Sequence, residues 1–126
     1  MQITTTAVAL TVEDVTASAA FLQRHFGYAE EMSADGFVSL KHPGGGVAVV
    51  LLRRGLEVLP EEQRHRIADG VILVFVVEDV AAEERRLREE GVAITLPLRE
   101  EPWGEKLFQV ADPNGVVIEL VEWAGR

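Results

Sequence analysis

The chain has no cysteine, which excludes disulfides, thiolate metal sites and thiol catalysis and is compatible with a reducing compartment. Basic residues are scarce: 12 against 21 acidic ones, for a net charge of −9. Such a charge repels phosphate backbones and anionic lipid heads, so neither nucleic acid nor a membrane surface is expected as a partner. The same field favours a cationic ligand, but it equally serves solubility. Ten of the 12 basic residues are arginine, a skew we attribute to genomic base composition. Long apolar runs are also missing. The opening Met1-Gln2-Ile3-Thr4-Thr5-Thr6 moves straight into alternation, with neither a basic-then-apolar leader nor a run of about 18 apolar residues, and a soluble cytoplasmic protein is expected.

What is present is a repeat. Val12-Glu13-Asp14-Val15 recurs as Val77-Glu78-Asp79-Val80, and at the same offset Ala17 meets Ala82 and Leu22 meets Leu87. Later in each half, Leu40-Lys41-His42-Pro43-Gly44-Gly45 is answered by Val110-Ala111-Asp112-Pro113-Asn114-Gly115. The following Val47-Ala48-Val49-Val50-Leu51 is answered by Val116-Val117-Ile118-Glu119-Leu120, and three matched blocks in one order mark an internal duplication. With 126 residues, 48% of them hydrophobic, the chain suffices for one core and is short for two. We therefore expect a single domain over 1–126, built from modules at about 1–55 and 70–123 and joined by a segment over 53–70.

Both halves follow one pattern. Residues 3–12 alternate, with Val8, Leu10 and Val12 on a heavy face and Thr5, Ala7, Ala9 and Thr11 on a light one, which predicts a strand buried on one side. Asp14 is placed to N-cap a helix to about Phe26, with Val15, Ala19, Leu22 and Phe26 at helical spacing and Gly27 as the stop. Strands are predicted near 28–32, 36–41 and 47–52. The second half repeats this with a strand over 71–77, a helix over 80–90 ended by Gly91, and strands near 93–96, 106–111 and 116–122. Asp112-Pro113-Asn114-Gly115 is a strong hairpin signal. The fold class is α+β. Segment 53–70 breaks the alternation and is either a linker with a short helix or a lip over a pocket.

The βαβββ module repeated twice, the Val-Glu-Asp-Val openings, Pro102-Trp103-Gly104 followed by Phe108, and Asp112 to Leu120 together resemble the vicinal oxygen chelate superfamily. That superfamily includes glyoxalases, extradiol dioxygenases and bleomycin resistance proteins. The resemblance implies a cupped mixed sheet with helices on its outer face, often completed by a second chain, so a homodimer is expected. It also implies metal ligands, in the metal-dependent members, on the first and last strands of each module. Those positions fall on Ala7, Val50, Ile72 and Glu119, and only Glu119 can bind a metal. A slip of one residue would substitute Val8, Leu51 and Leu73, which are no better. His25 on the helix, His42 in a turn and His65 between the modules are read as surface residues. Neither a metal nor any other cofactor is expected.

If Ala7 faces the cup, so do Thr5 and Ala9, whose small size leaves a cavity. Phe37 and Ser39 of the first module and Leu107 and Gln109 of the second should face it too, with Val50, Leu52, Ile72 and Val74 on neighbouring strands. This is an apolar wall with a few polar groups, as in organic-ligand pockets. Glu119 interrupts an apolar strand and is either a ligand contact or a carboxylate satisfied by a neighbouring backbone, hydroxyl or arginine. Trp103 either stacks on a flat ligand or seals the core or a dimer contact. Trp123, Phe26 and Phe75 read as packing or interface. Gly44-Gly45-Gly46 lacks the following helix of a phosphate loop, and no serine has a credible histidine partner.

The reading that follows is a metal-independent protein resembling the bleomycin resistance branch, which sequesters a bulky, aromatic antibiotic or natural product. The alternative is a lyase, isomerase or dioxygenase of the same fold, metal-dependent or using Glu119 as acid or base.

Overall fold

A computed structural model describes residues 1–124, and its elements appear in the duplicated order. The first unit, Met1–Asp69, runs β1 (Ala7–Val12), α1 (Val15–Phe26), β2 (Ala29–Ala34), β3 (Phe37–Lys41) and β4 (Ala48–Arg53). The second, from Gly70 onward, runs β5 (Ile72–Val76), α2 (Val80–Glu89), β6 (Ile94–Glu100), β7 (Lys106–Ala111) and β8 (Val117–Glu122). The strand orders are β1-β4-β3-β2 and β5-β8-β7-β6. In both sheets the first strand pairs parallel with the last and the hairpin strands pair antiparallel. The α+β class and the doubled βαβββ module are therefore seen directly. Among the described residues no helix is long and apolar enough to cross a membrane.

The helices start on the same local signal. Asp14 accepts from the Ala17 amide and Asp79 from the Ala82 amide, each at 3.1 Å, satisfying a donor that the first turn leaves without an intrahelical partner. Gly27 ends α1 in the left-handed region, at φ 74. On α2 the Glu84–Arg88 and Arg86–Glu90 pairs form as the spacing predicts. Burial leaves the Arg86 guanidinium less able to hold its charge, but the Glu83 and Glu90 carboxylates outweigh it and raise its pKa.

Alternation sorts each sheet into two faces. Leu10, Val12, Val49, Leu51, Val38 and Leu40 are buried on one side of the first sheet; Leu73, Phe108, Val110, Ile118 and Leu120 are their counterparts in the second. Helix α1 packs against β3 and β4, and α2 against β6, β7 and β8, so these heavy faces are the helix-covered ones.

Four local features differ from the expectations. Residues 3–6 are not strand, because β4 starts at Ala48 and its first register partner is Ala7. Strand β6 continues to Glu100 through two register irregularities. His25 is buried on α1, at 8% exposure, its ring edge-on to Phe21 at 5.0 Å. The helix presents Val15, Ser18, Ala19, Leu22 and His25 inward, a stripe turned slightly from the one that Phe26 implied. His42 is an organiser of its turn: Nε2 meets the Phe26 carbonyl and Nδ1 accepts from the Gly44 amide, both at 2.9 Å. His65 alone of the three is fully exposed.

Segment 53–70 contains turns and no helix. It folds on the first unit: the Ala68 amide donates to the Thr11 carbonyl at 2.7 Å, Leu59 is buried, and Arg64 Nη2 reaches the Glu57 and Leu59 carbonyls.

Candidate functional site

The faces opposite the helices hold the residues singled out in the sequence, and each unit is built by register. In the first, Ala9 lies across from Val50 and Thr11 across from Leu52, while β3 places Ser39 opposite Val50 and Phe37 opposite Leu52. Paired residues share a face, so Phe37, Ser39, Val50 and Leu52 gather on one surface. All four are half-buried. Ala7 and Ala9 on the same face are exposed and small.

In the second unit, Val74 faces Glu119 across β5 and β8, and Glu119 faces Gln109 across β8 and β7. Ile72 and Leu107 occupy the same face, opposite Val117 and Val121. Ile72, Val74 and Val76 are 48–49% exposed, whereas Leu107 is down to 8%. Gln109 Nε2 donates to Glu119 Oε1 at 2.9 Å. The carboxylate is therefore satisfied in part by a side-chain amide, a partner type the sequence reading did not weigh. Arg99, across from Leu107 on β6, is committed elsewhere: its Nε pairs with Glu101 at 2.8 Å.

Trp103 sits at the tip of the β6–β7 loop and is 63% exposed. The loop itself is tied down. The Glu101 amide donates to the Glu105 carbonyl at 2.7 Å and the Gly104 amide to the Glu101 carbonyl at 2.8 Å. A Cβ on Gly104, at φ +97, would lie 3.0 Å from the Ala124 Cβ, so the loop rests directly on the segment that follows β8. Trp123, in that segment, is 40% exposed. Its placement one residue beyond the strand was the signal that tied it to packing, and the close approach at Gly104 was not legible from composition.

The turn joining β7 to β8 fixes Glu119's strand. Asp112 Oδ1 accepts from the amides of Asn114 at 2.9 Å and Val116 at 2.8 Å. A buried carboxylate occupied by backbone donors is a structural element of the hairpin.

The residues do not fit a metal. A catalytic divalent ion takes about three protein N or O ligands, and the four positions implied by the resemblance carry Ala7, Val50, Ile72 and Glu119, with a single donor group among them. Among the described residues no group of three or more His, Cys, Asp or Glu side chains is arranged to hold an ion.

Three solved structures illustrate the fold. A glyoxalase/bleomycin resistance protein/dioxygenase from Nocardioides is similar with a TM-score of 0.79 and 22% identity, covering 100% of this chain and 87% of that one. TioX from Micromonospora sp. ML1 gives 0.75 and 23%, covering 95% and 98%. A lactoylglutathione lyase from Agrobacterium tumefaciens gives 0.76 and 19%, covering 96% and 94%. At these identities the likeness extends to fold alone. No curated protein sequence matches this chain. The sequence profile of one superfamily matches residues 4–120, nearly the whole length. Together with the doubled βαβββ architecture, that match places the chain in the Glyoxalase/Bleomycin resistance protein/Dioxygenase superfamily.

Proposed function

We propose that this protein is a metal-independent binder that captures a bulky aromatic small molecule, such as an antibiotic or related natural product, without transforming it. The observation carrying this reading is the half-exposed apolar row Ile72, Val74 and Val76 on one strand face of the second unit; the same unit holds an exposed indole, Trp103, on a closed loop. Monomeric proteins rarely leave contiguous apolar surface open unless it binds something. Membership of a superfamily that includes bleomycin resistance proteins supports the same class.

Capture is stoichiometric. Apolar burial supplies the affinity, at roughly 25 cal/mol per Å² of ligand and protein surface removed from water, less the costs of association. Trp103 stacks on a flat ring system, and its tied loop means that little entropy is lost on binding. Gln109 and Glu119 orient the polar edge of the ligand. We place the protein in the cytoplasm as a homodimer, a state that sedimentation at several concentrations would read directly.

The test is equilibrium titration with a panel of aromatic antibiotics, followed by recovery of each compound. Binding with the compound returned intact supports sequestration. A compound returned altered would favour the enzyme reading, with Glu119 as acid or base.

A further inference from the structure

The imidazole of His42 is bonded at both nitrogens, and the two bonds run in opposite senses. Nδ1 accepts from the Gly44 amide at 2.9 Å, so it carries no proton. The proton therefore sits on Nε2, which donates to the Phe26 carbonyl at 2.9 Å. Only the neutral ring with its proton on Nε2 makes both bonds.

The ring is closely surrounded. A Cβ on Gly44 would lie 3.0 Å from its Cε1 and Nδ1, one on Gly27 3.4 Å from its Nε2, and one on Gly46 3.4 Å from its Cβ. Tyr28 meets it edge-on, with ring centres 5.0 Å apart, and the Tyr28 hydroxyl donates to the Val47 carbonyl at 2.8 Å. His42 thus fastens the turn between β3 and β4 to the end of α1.

A proton added at Nδ1 turns that atom from acceptor to donor and sets two N–H groups against each other. The bond to Phe26 survives, because Nε2 still donates and a cation is favoured at the C-terminal end of a helix. Among the described residues no carboxylate forms an ion pair with the ring. The charged and titratable groups on the elements around it are Arg24 and His25 in the last turn of α1, Tyr28, Glu30 on β2, and Lys41, which pairs with Glu31 at 3.1 Å. None of them is hydrogen-bonded to the imidazole.

The matching turn of the second unit makes the same contact with a different group. Asp112 Oδ1 accepts from the Asn114 amide, two residues on, at 2.9 Å. A carboxyl group keeps acceptor capacity in either protonation state, whereas a doubly protonated imidazole has none. The duplicated turn therefore exists in one form that a proton can open and one that it cannot.

We infer that His42 is an acid-released clasp: protonation at Nδ1 frees the Gly44 amide and loosens turn 42–47, while the ring stays attached to α1 through Phe26. Imidazoles change charge between about pH 5 and 8, so the release belongs to mild acid.

The test follows the isotope-labelled full-length protein by nitrogen and amide NMR from about pH 8 down to about pH 5. At the alkaline end the His42 ring signals should place the proton on Nε2 alone. As the ring gains its second proton, the Gly44 amide signal should move with the same midpoint, and its exchange protection should fall about ten-fold, the loss of one hydrogen bond. The Asn114 amide should hold. A ring that is doubly protonated with Gly44 unmoved overturns the inference, as does a ring that stays neutral to the acid end. In His42→Asn, whose Oδ1 can accept from the amide two residues on, the Gly44 signal should no longer respond to acid. A response that persists there with the same midpoint assigns the change to another group and overturns the inference too. The comparison of ring and amide midpoints within the unmodified protein decides the matter even where the variant fails to fold.

Discussion

Gln109 and Glu119 face each other in register across β7 and β8, with the amide donating to Oε1 at 2.9 Å. Removing only the amide, as in Gln109→Leu, leaves a half-buried carboxylate without its partner, and a loss of about 1–3 kcal/mol is expected. Replacing both residues with leucine should recover most of that loss, because no polar group is then stranded. Urea unfolding of the two single variants and the double variant measures the coupling. A loss in the double variant equal to the sum of the two single losses would show that the pair has no energetic link.

Trp103 and Gly104 separate binding from stability. With Trp103 at 63% exposure, Trp103→Ala should shift unfolding by no more than about 0.5 kcal/mol while weakening aromatic ligands markedly. Gly104→Ala should behave otherwise. Its φ of +97 and the 3.0 Å approach to Ala124 make a cost of about 1–2 kcal/mol expected. Thermal melts beside ligand titrations distinguish the two patterns.

Tyr28 gives the protein an alkaline sensitivity. Burial raises its pKa above 10.0, and its hydroxyl donates to the Val47 carbonyl at 2.8 Å. The folded state thus holds the phenolic proton more tightly than the unfolded chain. That contribution is fully present below the unfolded pKa and is lost as pH rises through the folded one. Tyr28→Phe should cost about 1 kcal/mol at neutral pH and flatten the decline in stability above pH 10. Melting temperatures measured from neutral to strongly alkaline pH test this; an unchanged alkaline slope in the variant would count against it.

The two helix caps should be energetically alike. Asp14 and Asp79 make the same 3.1 Å bond to the third residue onward, so Asp14→Ala and Asp79→Ala should each lose about 1 kcal/mol. Hydrogen exchange on each helix reads the effect in its own unit.

The sequence made the caps, the stop at Gly27 and the open-face set legible because each depends on neighbours a few residues apart. Phe37 with Leu52 and Gln109 with Glu119 follow from strand alternation plus two hairpin turns. What was hidden depends on contacts between distant segments. His25 is the exception: it continues the local α1 stripe of Ser18 and Leu22, which the pattern drawn through Phe26 passed over. Strand β6 outruns its pattern because Glu84 Oε2 accepts from the Leu98 amide at 2.9 Å, holding the irregular stretch around Pro97 to α2. Gln109 lies on the expected face, but as a side-chain amide it is none of the backbone, hydroxyl or arginine partners that the pattern suggests for Glu119. The absence of metal donors at Ala7, Val50 and Ile72 is a matter of residue identity and needs no coordinates.

The bond from the Ala68 amide to the Thr11 carbonyl has a consequence for the history of the chain. The repeated stretch ends near residue 55, yet the body that packs together runs to Asp69, so the copied piece and the folding piece are not the same length. A fragment ending at Arg53 would leave the free side of β1 open to edge-to-edge association with other chains. One ending at Asp69 would carry its own selvedge, and the segment between the repeats is what hems it.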